Sequence, residues 1–145
     1  MDGGKKVSNS RDKARELILQ GLHLYCTSLD SFDVDMFLSL WGSDAYLDFS
    51  ERFRGMPKDF IKSVISRRGV NSYMSHKLGE VEIDLHEDLM TARSVSGVIA
   101  TVKTSNSDGY IERRIFGTYI DRWIFEDKWL IDHRIFKRDR QIELA

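Results

Sequence analysis

From Ser10 onward, Ala14, Leu17, Ile18, Leu22, Tyr25 and Leu29 recur at spacings of three and four. That period puts them on one face of an amphipathic helix, which ends near Asp30. A second, shorter helix is predicted from about Asp33, where Val34, Phe37, Leu38 and Trp41 keep the same spacing. Asp33 is placed to cap it, and Gly42-Ser43-Asp44 to stop it. A brief strand, Ala45 to Phe49, follows. Gly55-Met56-Pro57 then introduces a third helix with Pro57 in its first turn, where a missing N–H costs nothing. Phe60, Ile61, Val64 and Ile65 form the buried side of this helix, which runs to about Arg68 and is ended by Gly69.

Beyond Gly69 the helical period disappears. Stretches rich in Val, Ile, Thr, Tyr, Phe and Trp alternate with turn signals, predicting strands at about Ser72 to Asp84, Met90 to Thr104, Tyr110 to Glu126 and Trp129 to Arg138. The links between them are hairpin-sized: His86-Glu87-Asp88, Ser105 to Gly109, and Glu126-Asp127-Lys128. Such links make a largely antiparallel sheet. Helices first and a long meander afterwards define an α+β domain in which the sheet wraps around the helices. Several strands exceed the usual length of about five or six residues, so they must coil or bulge, with Gly79, Gly97 and Gly117 as the natural bending points. A strongly curved sheet closed by helices leaves a concave pocket of the kind that binds small ligands.

Composition narrows the chemistry. A chain of 145 residues makes one domain large enough to bury a core without staples. Residues 1–9 read as a flexible tail, 10–140 as the domain and 141–145 as a C-terminal tail. Lys plus Arg number 22 against 23 Asp plus Glu, so the basic excess of a nucleic-acid binder is missing. A single cysteine, Cys26, offers neither an internal disulfide nor a zinc pattern. With no apolar leader and no run approaching the roughly 20 residues of a membrane span, a cytoplasmic protein with no membrane partner is expected. No phosphate loop, GxGxxG, GxSxG or HExxH is present, so no cofactor and no metal is expected.

Acid–base chemistry and plain binding are what remain, and four histidines are the groups to weigh. His23 lies off the apolar face of the first helix and His86 in an acidic turn, both solvated positions. His133 is in phase with Trp129, Ile131 and Ile135, as a packed histidine would be. His76 shares the apolar face of its strand with Met74 and Leu78. Asp30 sits at the C-terminal end of the first helix, where the dipole disfavours an anion, so it either caps the turn or needs a cation or donor close by. A carboxylate that orients a histidine makes a general base suited to neutral pH. The basic stretch Arg134, Lys137, Arg138 and Arg140 reads most simply as a solvated strand end and tail.

One pattern carries a resemblance over about Ser10 to Arg138. It comprises Tyr25-x-x-x-x-Asp30-x-x-Asp33, Phe37-x-x-x-Trp41, Asp44-Ala45, Tyr73-Met74-Ser75-His76 and a closing hairpin from Gly117-Thr118-Tyr119 through Trp129. In this layout the chain resembles the SnoaL-like proteins of the nuclear transport factor two superfamily, which implies a cone-shaped α+β barrel. It is most similar to the dehydratase and dehydrochlorinase types: scytalone dehydratase, bile acid 7-alpha-dehydratase and hexachlorocyclohexane dehydrochlorinase. The resemblance implies His76 as base, Asp30 as its orienting carboxylate, and Tyr25 and Arg134 as holders of a leaving group or developing oxyanion. It also implies a homo-oligomer, trimer or dimer.

The resulting expectation is a cofactor-independent lyase or isomerase acting on a small, largely apolar molecule, with Trp41, Phe49, Tyr73, Tyr119 and Phe136 lining the pocket. Two other readings stand beside it. One is a non-catalytic small-molecule-binding module; the other is a partner-binding subunit like the beta subunits of ring-hydroxylating dioxygenases.

Overall fold

The computed structural model describes residues 3–67 and 71–144. Three helices, α1 (Gly3–Asp30), α2 (Val34–Leu38) and α3 (Pro57–Ser66), accompany six strands: β1 (Trp41–Asp48), β2 (Arg54–Gly55), β3 (Asn71–Leu85), β4 (Thr91–Asn106), β5 (Gly109–Glu126) and β6 (Lys128–Leu144). The strands form one open sheet in the order β2-β1-β6-β5-β4-β3. Every neighbouring pair is antiparallel except β1 and β6, which run parallel. The architecture is the α+β arrangement read from the pattern of the sequence. Among the described residues no helix is long and apolar enough to cross a membrane.

Element boundaries moved where long-range pairing outweighs local pattern. The backbone of α1 is helical from Gly3, ahead of the expected start at Ser10, and β6 runs to Leu144, past the expected boundary at 140. The expected stop of the third helix at Arg68 and Gly69, and residues 1 and 2 of the N-terminal tail, lie outside the described residues. Asp33 caps α2 as its position required, its Oδ1 accepting the Met36 N–H at 3.0 Å. The helix nevertheless ends at Leu38, and Trp41 starts a strand instead of completing an apolar helical face. The reason is β6: the Ile131 N–H donates to the Leu40 carbonyl at 2.9 Å, and Trp41 takes register with Ile131. A ladder to a strand ninety residues downstream leaves no trace in the local period.

The long strands bend by bulging. Register slips in β3 between Leu78 and Val81, around Gly79, which lies against the Gly97 backbone. It slips twice between β5 and β6, where Trp123 faces Ile131 but Arg122 faces His133, and Phe116 faces Arg140 but Gly117 faces Arg138. Each slip inserts one residue into β6, Asp132 and Asp139, and reverses which side chains point inward. The concave face of β6 therefore reads Ile131, then Arg134, Phe136 and Arg138, then Gln141. Against this face packs α1 through Ala14, Ile18, Leu22, Tyr25 and Leu29, all buried with Trp123, Leu47 and Ile131.

Candidate active site

The last turn of α1 contains no basic residue to compensate its dipole, and it places Asp30 beside β3. There the carboxylate takes two donors from one residue. Asp30 Oδ2 accepts the His76 backbone N–H at 3.0 Å, and Asp30 Oδ1 lies 2.7 Å from His76 Nδ1. A carboxylate only accepts, so Nδ1 carries the hydrogen and Nε2 is left with a free lone pair. The His76 side chain is 9% exposed and that of Asp30 29%, so the pair is sheltered on the imidazole side and wetted at the carboxylate. The alternation of β3 dictates this placement, since Met74, His76 and Leu78 share the concave face.

A second polar group lies behind the first. Arg134 and Asp121 are fully buried and joined by two hydrogen bonds, Nε to Oδ1 at 2.6 Å and Nη2 to Oδ2 at 2.9 Å. Ser94 Oγ donates to Asp121 Oδ2 and accepts from Trp123 Nε1, completing the support. The Arg134 guanidinium lies over two phenol rings, 4.1 Å from the centre of Tyr25 and 3.8 Å from that of Tyr119. Its Nη1 and the Tyr25 hydroxyl are buried without a hydrogen-bond partner. Burial opposes the Arg134 charge, but the Asp121 carboxylate and its hydrogen bonds hold the guanidinium more strongly basic than usual. This placement corrects the reading of Arg134 and Arg138 as part of a solvated strand end. The bulge at Asp132 brings Arg134 under α1 and Arg138 to the cavity, leaving Lys137 and Arg140 exposed. Arg134 stands behind Tyr25 and Tyr119 and does not itself line the cavity.

The cavity has a volume of about 480 Å³, within the range of about 300–1,000 Å³ typical of small-molecule sites. Tyr25, His76, Phe49, Tyr119 and Phe136 line it. Trp41 and Tyr73 do not. As the first residue of β1, Trp41 is buried in the core against Tyr25 and Phe37. Tyr73 precedes Met74 in a strand, so it faces the other side of the sheet and is 49% exposed, with the Lys103 ammonium over its ring. Sequence reasoning missed Phe53, Phe60 and Met74 as wall residues and four arginines, Arg52, Arg67, Arg113 and Arg138. The shared parity of Arg138 with Phe136 was the one available signal for the last of these.

His23 and His86 are exposed as expected. His133 is half-buried on the outer face, its ring stacked on Tyr46 at 5.8 Å between centres. Burial pushes the Cys26 thiol up to about 11, which leaves it a weak nucleophile at neutral pH.

Burial likewise pushes the Tyr25 phenol from 10.0 up to about 12, against the pull of Arg134, and raises Tyr119 well above its ordinary value. At neutral pH both are donors. Between pH 10 and 12 the unfolded chain releases a Tyr25 proton that the folded chain keeps, so stability falls with rising pH, by roughly 2–3 kcal/mol from this residue alone. Urea midpoints measured across that window should fall, and Tyr25→Phe should flatten the slope. An identical slope in the variant contradicts the assignment.

Gly117 makes the cavity wall possible. A Cβ there would overlap Phe136 Cε1 and lie 2.8 Å from the Lys137 carbonyl oxygen. Gly117→Ala should push the Phe136 ring into the cavity and cost about 1–3 kcal/mol, the usual range for overpacking. Urea unfolding measures it, and an unchanged midpoint would show that the strand gives way freely.

A family model for the SnoaL-like domain matches residues 11–135. No curated protein matches the chain at the sequence level. Solved structures do. A candidate scytalone dehydratase from Novosphingobium aromaticivorans is 16% identical with a TM-score of 0.83, covering 95% of this chain and 92% of that one. A hexachlorocyclohexane dehydrochlorinase, LinA type 2, is 14% identical at 0.83, covering 95% and 93%. The LinA type 3 enzyme of Novosphingobium barchaimii is 15% identical at 0.81, covering 95% and 94%. At these identities the likeness is one of fold.

Proposed function

The chain belongs to the SnoaL-like domain family, and we propose that it is a cofactor-independent lyase or isomerase in which His76 removes a proton from a carbon of a small, largely apolar molecule. The observation that carries this reading is the 2.7 Å contact between Asp30 Oδ1 and His76 Nδ1 at the wall of an apolar cavity. Asp30 fixes the tautomer that leaves Nε2 as the base, and it stabilises the imidazolium once the proton has arrived. The C–H electron pair forms a double bond as hydroxide or halide leaves the adjacent carbon, or the proton returns to a second carbon. Tyr25, neutral and part of the cavity wall, donates to the oxygen that gains charge. Arg134 acts through Tyr25 and Tyr119 as a positioning residue, its charge held under both rings. The relatives whose names describe elimination of water or chloride share the cone in which this arrangement is set.

Incubation in D2O with a panel of β-hydroxy ketones and β-halogenated rings tests the reading. The wild-type chain should catalyse elimination or carbon–deuterium exchange on at least one compound, and Asp30→Asn should lose it. Binding of such compounds with neither reaction would assign the fold to a binding module.

A further inference from the structure

The apolar cavity opens through a ring of cations that the proton-abstraction reading does not use. Arg52 precedes β2, Arg67 follows α3, Arg113 is on β5 and Arg138 on β6, and all four line the cavity that holds His76. Arg52 and Arg67 are exposed, whereas Tyr25 is fully buried, so the arginines mark the mouth and the phenol the inner wall. Like charges gathered at one opening repel one another, a cost that a bound anion would relieve. Among the described residues, counter-charges paired with these four arginines are scarce. Arg113 Nε reaches Glu143 at 3.3 Å, and Arg138 Nη1 donates to the neutral Gln141 amide oxygen. Among the described residues no carboxylate pairs with Arg52, Arg67 or Arg138. The Arg138 Nε is buried with no partner at all. Burial, and then the neighbouring arginines, lower the basicity of both Arg52 and Arg138.

The two halves of the site match an amphiphile. Phe49, Phe53, Phe60 and Phe136 suit an apolar body, and a planar guanidinium with unfilled N–H groups suits a carboxylate or phosphate, which it grips through two parallel hydrogen bonds. We propose that the ligand of this cavity is an organic anion, its apolar body lying against His76 and Tyr25 and its carboxylate or phosphate head held at the mouth by Arg52 and Arg138, with Arg67 and Arg113 adding to the field. This rests on the cavity being the substrate site and narrows the substrate class from apolar molecules to apolar anions.

Two fluorescent probes with the same apolar body make the test, 8-anilinonaphthalene-1-sulfonate and the neutral N-phenyl-1-naphthylamine. The anionic probe should bind about tenfold or more tightly than the neutral one, as a charge-assisted contact implies. Its affinity should fall as salt is raised, while that of the neutral probe should not. Arg52→Gln with Arg138→Gln should bring the two probes to within about twofold, with neutral-probe binding retained as proof that the cavity is intact. Arg67→Gln, at an exposed helix end, should weaken the anionic probe alone. Arg93→Gln with Lys128→Gln, two exposed cations away from the cavity, should change neither. Decanoate or decyl phosphate should displace the anionic probe where decanol does not, and the better competitor identifies the head group. Equal binding of the two probes to the wild type, or a preference that survives loss of Arg52 and Arg138, overturns the proposal. His76→Ala removes the same contact from the apolar body of both probes, so the ratio of their affinities should persist while turnover is lost, and failure of the anion site and failure of the base are read separately.

Discussion

His76→Ala should lower turnover of an accepted substrate by about 10²- to 10⁴-fold, the usual range for loss of a positioned general base. The fold should survive, because the backbone N–H that Asp30 accepts at 3.0 Å belongs to residue 76 whatever its side chain. That bond still ties the end of α1 to β3. Asp30→Asn should cost a comparable factor by a different route. An amide at position 30 can still accept one donor, but it no longer imposes the Nδ1–H tautomer or stabilises an imidazolium. Turnover under saturating substrate, with circular dichroism to confirm folding, decides both. Activity within a few-fold of wild type in a folded His76→Ala protein removes His76 from the role of base.

The second large effect is on stability. Asp121→Ala leaves the Arg134 charge with 0% exposure and no counter-ion. Breaking a buried pair from one side costs about 3–5 kcal/mol, which for a chain of this size corresponds to a melting temperature lower by roughly 10–15 °C. Loss of the carboxylate also frees the hydroxyl of Ser94, which donates to Asp121 while holding the Trp123 indole. Replacing both partners, Asp121→Leu with Arg134→Met, should recover much of the loss, because no uncompensated charge is then buried. A melting temperature for Asp121→Ala close to wild type would mean that water reaches Arg134. Asp121 touches no part of the cavity, yet the same substitution should lower activity in folded protein. The guanidinium it anchors lies over the rings of Tyr25 and Tyr119, which it positions in the proposed reading.

Much of this molecule could be read from periodicity. The face of α1, the cap at Asp33, the Pro57 start of α3 and the four long strands follow from spacings of three and four giving way to alternation, because burial of one face is a local constraint that repeats along the chain. Position 76 could be read the same way, as a histidine on an apolar strand face, and Asp30 as an anion at a helix end that needs a partner. Period and dipole pointed at both residues. Their 2.7 Å contact could not follow, since it joins residues 46 positions apart.

Tertiary contacts decided the rest, for one recurrent physical reason. Alternation specifies a face only until the first bulge, and β6 has two, at Asp132 and Asp139. Past the first, Arg134 and not Ile135 turns inward, and a stretch that looks like a charged tail supplies a buried ion pair and an arginine of the cavity mouth. Trp41 shows the same limit at a helix end, where pairing with Ile131 overrode a helical spacing. One-dimensional pattern thus carried the helices, the sheet and the candidate base. Where the inserted residues fall, and with them the electrostatics behind Tyr25 and around the opening, depends on how six strands bend together around one helix.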